Sequence, residues 1–594
     1  LENISLCNIP PLSLNIILNS GSDMIICAKL SNQYMKKLIA VLFLFACLRS
    51  FSQTSTTTFT QYTTNPAAGV YDFYYTPFRG YSTWQGNCAG CSPIPTPAGI
   101  TARDRYYRWV VTDIEPYNSP AGTYSWTNSN SSDACFDCEM NAAIDAGGKL
   151  SIDFNFQCGF CSGHGAQITD PAGHSSYLIY PFFWHTAMQA DAVKDFSWSN
   201  HGAYEWFPNL NGKIFQNLWR TMHQAIMHHL NTTSHRSAHT GKMVFYKDAV
   251  NYIVVSGYGQ TGEWTNTPYG GASGVAGVWP GPAGSEPTAA ALDSMISTVA
   301  RAYDNYWVVT QIATFDCKQL PGNTHIPTEV GWFALQIRNS KGFLGIRDDG
   351  IGNGSQYIHN WTIHNRNTFI VPRGFQGASS TFHFDSAIQN RWKIAPIVGE
   401  PCCPNMIGGG ADPYYSSMPA QVALFHFNGV DNGNSFDGGN PGDIGFQQNW
   451  RIAAANSGNK MALTQVVSTT AITSGTAFNI TPTWNNIGVA PPYWDWTIVW
   501  ELKSAPGARP VWVDSSVFNM KGFLPGKPTV FTQNYKKAIK PGTYNLYVTV
   551  KDPRRYYDPM PLYITTTQNS DGSYLVRSNV VVTATGRPVA SGKP

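Results

Sequence analysis

The feature that most restricts the fold of this chain is a repeated order: a short β-branched or aromatic run, a turn, then a helical stretch. Runs at 107–112, 150–156, 177–184, 252–256, 306–312, 343–347, 393–398 and 422–427 read as strands. Helical patterning falls at 133–146, 214–230, 287–303, 328–339 and 442–455. The run YIVV at 252–255 lacks polar alternation, as a strand buried on both faces does. Strands alternating with helices predict a parallel α/β sheet, and eight such units predict closure into a (β/α)8 TIM barrel. The span assigned to this barrel, 70–457, exceeds the roughly 250 residues typical of the fold. Large inserted loops are therefore expected, with 162–212 and the Gly/Pro-rich 270–284 as candidates.

After Lys460 helical periodicity disappears. Alternating β-rich runs at 462–468, 478–484, 497–502, 544–550 and 574–583 are punctuated by Pro-Gly, Asn-Ser and Asp-Gly turns. They predict a C-terminal antiparallel β-sandwich over 458–594. At the other end, Met35, Lys36 and Lys37 precede a short apolar run, so 35–52 reads as a signal peptide and the protein as exported, periplasmic or extracellular. That run is too short to span a bilayer, which takes about 20 residues, so no membrane span is expected. The sequence LFAC at 44–47 resembles an imperfect lipoprotein box and leaves a lipid anchor at the cell surface open. Residues 1–34 precede the plausible start methionine and read as an over-extended reading frame; the Ser/Thr-rich 53–69 reads as a flexible entry segment.

Charged residues make up 13% of the chain, about half the roughly 25% usual in soluble proteins. Surface polarity must come mostly from neutral side chains, which suits an exported protein handling a neutral polar ligand such as a carbohydrate. The net charge of +3 comes without a basic block, so no nucleic-acid footprint is seen. No cofactor is expected, and oligomeric state is open. Cysteines pair by spacing as Cys88/Cys91, Cys135/Cys138 and Cys158/Cys161, with Cys317 alone and Cys402 beside Cys403. Disulfides are the default in an oxidising compartment, and a four-thiolate zinc site built from two converging pairs is the alternative.

Two acids stand out. Glu263 follows the strand at 252–256 and the glycines Gly257, Gly259 and Gly262; Glu400 follows the strand at 393–398 and Gly399. A carboxyl beyond the carboxyl end of a barrel strand is where this fold keeps its chemistry. Glycosidic bonds break between two carboxyl groups, one protonating the leaving oxygen and the other attacking the sugar or activating water. Counted along the chain, the two acids end strands four and seven. That order resembles the clan A, β-galactosidase-like glycoside hydrolases. The resemblance implies that Glu263 is the acid/base and Glu400 the nucleophile. The sequence of parts TPFRGY, GYGQTGEW, RDDG, VGEP and WNNIGVAPPYWDW is also similar to a group of secreted bacterial barrel-plus-sandwich proteins without an assigned substrate. One departure from clan A is Gly262, where those barrels place an Asn that contacts the sugar 2-hydroxyl. A Gly-Glu pair here is also similar to β-amylase, an inverting barrel. Retention is slightly favoured over inversion.

Other candidates for sugar contact are Tyr258 and Trp264 beside the proposed acid, and Asp113, Glu115 and Arg108 on the run at 107–112 and just beyond it. Arg108 is expected to pair with an acid inside the barrel. Asp348 and Asp349 follow the run at 343–347, and His426 and Asn428 are read as ending strand eight. Trp109, Trp184 and Trp206 fit a core better than a sugar platform. His223, His228 and His229 lie on one helix and read as solvated; no spacing of metal ligands accompanies them. Trp494-Asp495-Trp496 reads as packing between sandwich and barrel. The function expected is a secreted glycoside hydrolase; the alternative is a non-catalytic carbohydrate-binding barrel.

Overall fold

The computed structural model describes residues 54–62, 80–85, 103–127, 135–156, 166–200, 203–258, 281–282, 284–311, 333–351, 390–401, 418–431, 444–514 and 518–584. Among them, eight strands close a barrel. In chain order these are Gly80–Gln85, Asp104–Val110, Leu150–Asn155, Val250–Val255, Val308–Gln311, Gly345–Ile351, Ile397–Pro401 and Gly429–Asp431, numbered one to eight below. Every neighbouring pair is parallel, and strand eight closes on strand one with Val430 opposite Tyr81.

Two expected strands are not barrel strands. The run at 177–184 divides: Ser175–Leu178 joins a four-stranded side sheet, and Phe182–Gln189 is a helix. Pro181 sits at that helix's N-cap, where its missing N–H leaves no helical bond unmade. The run at 422–427 belongs to helix Met418–Leu424 and the turn after it. Short apolar runs do not distinguish a strand from a buried helix by periodicity. The barrel instead opens with GYSTWQ at Gly80–Gln85, whose Gly and Ser give little strand signal, and ends with the three-residue strand Gly429–Asp431. One false strand before position 252 and one omitted strand offset each other. The strand ending at Val255 is therefore still fourth, and the strand carrying Glu400 is still seventh.

Alternation along each strand separates two cores. Trp109, Ile152, Phe154, Ile253, Val255 and Val308 point outward and pack with the surrounding helices. Helix Lys213–Thr232 shows why: Phe215, Trp219, Met222, Ile226 and Leu230 recur at helical spacing and are buried. His223 shares that face, against expectation. It is buried, its Nδ1 lies 2.9 Å from the Tyr303 hydroxyl, and burial pushes its pKa down to about 3. His229 is half-buried, stacked on Trp126 and paired with Asp137 at 2.6 Å, and only His228 is exposed. Trp184 and Trp206 are buried in the same outer core.

The inward set, Tyr106, Tyr252, Val254, Val309 and Val398, belongs to a second cluster that continues into the C-terminal unit. That unit is two five-stranded sheets, antiparallel except where Ala471–Thr473 lies parallel to Tyr574–Thr583. Its long strands, Met461–Thr469, Ala477–Asn486, Thr497–Lys503, Gly542–Lys551 and Tyr574–Thr583, match the β-rich runs of the sequence. The segment 53–69 is not simply a flexible entry: Thr54–Thr58 pairs antiparallel with Met461–Thr469 as an edge strand of this unit. Its threonines suit a half-exposed strand better than a linker.

The C-terminal unit docks on the amino ends of the barrel strands. The Trp307 indole, just before strand five, donates to the Tyr493 carbonyl at 3.3 Å, and the Tyr493 hydroxyl donates to the Trp392 carbonyl before strand seven. Arg103 and His239 both reach Asp558, at 2.7 and 2.9 Å, and the Tyr557 hydroxyl donates to the Asp248 carbonyl at 2.9 Å. Trp494 and Trp496 are buried in the shared cluster.

Candidate functional site

The barrel interior holds a cluster of acidic and basic side chains on strands six to eight. Glu400 lies on strand seven and Arg347 on strand six; Arg347 Nη2 is 2.8 Å from Glu400 Oε2, and neither side chain is exposed. Arg347 Nη1 donates to Asp431 Oδ2 of strand eight at 2.7 Å. One guanidinium thus serves two carboxylates. The register accounts for the meeting: Arg347 is opposite Val398 and Gly399 is opposite Val430, so Glu400 and Asp431 are the next residues on adjoining strands. Gly399 makes room for this arrangement. A Cβ there would lie 2.0 Å from the Asp348 carbonyl oxygen, so only glycine lets strands six and seven close directly before Glu400.

Arg347 also lies over the Tyr106 ring of strand two, 4.1 Å from its centroid. The Tyr106 hydroxyl donates to Asp153 Oδ2 of strand three at 2.6 Å, and Arg108 Nε donates to the same oxygen at 3.0 Å. Burial pushes the Tyr106 hydroxyl pKa well up, with Asp153 and Glu400 adding and the two arginines opposing. Tyr252 of strand four is raised by burial and feels Arg347, Asp431 and Glu400. Three carboxylates and two guanidiniums therefore meet inside one barrel, each charge with an opposite neighbour, as buried charges require.

The expected site residues are distributed as follows. Arg108 pairs with an acid inside the barrel, and that acid is Asp153. Glu400 is paired with Arg347, while the nearby chain cations are engaged elsewhere: Arg391 donates to the carbonyls of Leu344 and Leu335, and Lys393 to Asn390. Asp113 is not free for substrate: it lies in the short helix Val111–Ile114 and accepts the Val110 N–H at 2.9 Å, capping its own turn. Glu115 is also engaged structurally. It is buried, accepts the Trp184 indole N–H at 3.1 Å and the Gly122 N–H at 3.4 Å, and burial raises its pKa to about 7. Asp348 lies within strand six rather than beyond it and is buried.

His426 and Asn428 are misplaced by the sequence reading. They precede strand eight and so occupy the amino rim, opposite the proposed chemistry. His426 takes a positive φ of 60°, stacks on Trp392 at 3.7 Å and shares a 2.5 Å hydrogen bond from Nδ1 to the Val489 carbonyl of the C-terminal unit. Tyr258, the last described residue after strand four, is half-buried against the outer core. Gly257 before it has φ +103°, a turn conformation that favours glycine, with the Phe156 ring against it. Glu263, Trp264, the side chain of Asp349, the cysteines at 88, 91, 158, 161, 317, 402 and 403, and residues 1–53 lie outside the described residues. Among those described, the Cys135 and Cys138 sulfurs are at bonding distance, at the start of helix Phe136–Asp145.

Arg347, Asp431, Asp153 and Tyr106 are the residues sequence reasoning missed. Asp153 carried a signal: an acid inside LSIDFN, a strand buried at every position, must have a partner. Asp431 carried none, because strand eight was sought upstream.

No family model matches this chain, and no curated protein matches it. Among solved structures it is similar to endo-glycoceramidase II from Rhodococcus sp. in its ganglioside GM3 complex, at 12% identity and a TM-score of 0.33, over 77% of this chain and 97% of that one. The lactosyl-enzyme intermediate of the same protein matches at 12% identity and a TM-score of 0.32, over 81% and 100% of the two chains. A GH27 β-L-arabinopyranosidase from Geobacillus stearothermophilus matches at 9% identity and a TM-score of 0.25, over 75% and 88%. Similarity this low leaves activity to be judged from the site.

Proposed function

We propose that this protein is an exported glycoside hydrolase that cleaves a polysaccharide or oligosaccharide with Glu263 and Glu400. The observation that carries the proposal is Glu400 on strand seven, inside the rim, with a guanidinium 2.8 Å from its carboxylate. A cation at that distance favours the anion. An anion suits the nucleophile or base and not the proton donor. The acid role then falls to Glu263, eight residues past Val255 at the end of strand four.

In the retaining course, which we propose, a Glu400 oxygen attacks the anomeric carbon as Glu263 protonates the departing oxygen. Water then displaces Glu400 from the anomeric carbon while Glu263, now a carboxylate, takes a proton from that water. The two carboxyls would stand roughly 5–5.5 Å apart for this course and roughly 6.5–9.5 Å apart for inversion. We read the C-terminal sheets as a β-sandwich that supports the barrel from below, away from the substrate.

One observation favours a second proposal, a carbohydrate-binding barrel without turnover. Glu400 and Arg347 are both fully enclosed, as a structural ion pair would be. The test is hydrolysis of a panel of aryl glycosides and polysaccharides by the purified protein, with product anomers read by NMR. Hydrolysis lost in both Glu263→Gln and Glu400→Gln supports the enzyme. Binding without turnover in the wild type, unchanged in both variants, supports the second proposal. Full turnover in either variant removes that residue's role.

A further inference from the structure

The arrangement around Arg347 assigns a role to Asp431, which no sequence signal marked. We propose that Asp431 is a positioning residue: by engaging one arm of Arg347 it shares that guanidinium with Glu400 and so sets how strongly the Glu400 carboxylate holds its charge. This rests on the assignment of Glu400 above.

The geometry is specific. Arg347 Nη1 goes to Asp431 at 2.7 Å and Nη2 to Glu400 at 2.8 Å. An arginine facing a lone carboxylate tends to grip it with two parallel N–H bonds. Here one guanidinium donates to the strand-eight carboxylate and forms an ion pair with the strand-seven one. The Tyr106 ring lies against the guanidinium and limits its rotation, and the Tyr106 hydroxyl is itself fixed by Asp153. Charged and titratable groups around Glu400 on the described elements include Arg347 of strand six, Tyr106 of strand two and Tyr252 of strand four, with Asp431 of strand eight linked to it through Arg347; Arg108 and Asp153 stand one step further out.

Chemistry explains why division would matter. A nucleophile must be ionised at the start of the reaction and must give up negative charge as the glycosyl bond forms. A bidentate guanidinium would stabilise the resting anion and resist that loss. A shared guanidinium keeps the carboxylate ionised while binding it less tightly. Asp431 adds a second anion that opposes charge on Glu400.

Two substitutions move the Glu400 carboxyl in opposite directions. Asp431→Asn removes the neighbouring anion and returns both arms of Arg347 to Glu400, so its pKa falls. Arg347→Met leaves Glu400 and Asp431 facing each other without a cation, so its pKa rises. The direct readout is carbon-13 NMR of protein labelled at glutamate carboxyls, with the Glu400 signal assigned by its loss in Glu400→Gln. The same order is expected in the acid limb of kcat/KM on a substrate found in the panel: lower pH for Asp431→Asn, and wild-type position on return to the acid in Asp431→Glu. Turnover by Asp431→Asn should fall roughly tenfold or more, within the range of single positioning contacts. An unmoved or raised Glu400 titration in Asp431→Asn overturns the proposal, and Asp431→Asn carries that test even where Arg347→Met does not fold. Loss of hydrolysis in Glu400→Gln together with an unmoved titration defeats this inference alone. Retained hydrolysis in Glu400→Gln defeats the assignment of Glu400 instead.

Discussion

The two rims of the barrel are built from the same strands and differ in kind. At the amino rim, Trp307, Trp392, His426 and Asp248 meet the C-terminal unit through aromatic packing and hydrogen bonds to backbone carbonyls. At the carboxyl ends of strands six to eight, Arg347, Glu400 and Asp431 replace apolar contact with charge. The amino rim is held by apolar burial together with hydrogen bonds to backbone carbonyls and the partly exposed Arg103/His239–Asp558 pairs, which spread its stability over many contacts. The other cluster is held by charges whose removal is costly in one direction and whose chemistry depends on placement. Barrels commonly separate stability from reactivity in this way. Here the separation reaches into the interior, because the inward residues Tyr252, Val254 and Val309 join the C-terminal core.

The largest test of this contrast is truncation. A chain ending before 458 loses the partner of Trp307, Trp392 and the inward core, and is expected to be insoluble or unfolded by circular dichroism; a soluble, folded barrel would show that the amino rim stands alone. Next is Arg347→Met. Removing the cation from a buried pair costs about 3–5 kcal/mol, read as a fall in the urea midpoint. Glu400→Gln should cost less, because Arg347 keeps Asp431, yet lower hydrolysis on the order of 10³-fold or more. Trp307→Ala should match the stability loss of Arg347→Met, about 3–5 kcal/mol, while leaving kcat/KM of the folded fraction unchanged.

Glu115 gives a smaller, pH-dependent effect. Its folded pKa of about 7 lies above the ordinary value of 4.5, so its protonated form is favoured by folding. The associated stability is full below the ordinary carboxylate range and is lost as pH rises through about 7. Glu115→Gln, which keeps an acceptor for the Trp184 indole, should therefore be more stable than wild type at pH 8 by about 1–3 kcal/mol and should flatten the dependence between. Asp558→Asn is the smallest. Burial would raise this carboxyl, but Arg103 and His239 hold it below the usual range. Its contribution is present above that range and is lost as pH falls through the lower folded value. Being half-exposed, the pair should account for less than about 1 kcal/mol.

Much of this architecture was legible before any coordinates. The strands ending near Val255 and Gln311, the helices at Phe136–Asp145, Lys213–Thr232 and Ala289–Ala302, and the five long C-terminal strands all follow from local patterning, because period and turn chemistry are short-range properties; strand seven, Ile397–Pro401, begins only at the end of the run expected at 393–398. The edge strand Thr54–Thr58 was not legible, since a threonine run becomes a strand only when a partner strand lies beside it. The offset between a false strand and a missed one shows that the order of elements can survive errors in identifying them.

The sequence by itself determined that strands and helices alternate, that an acid directly follows Gly399, and that charge is scarce enough for each buried ion to need a partner. Which ions meet was decided only by closure of the barrel. Arg347 and Asp431 are 84 residues apart, and strand register alone brings their side chains within 2.7 Å. Pairing across such a distance is a property of the closed sheet, in which a shift of one residue would turn Glu400 from the interior to the outer face.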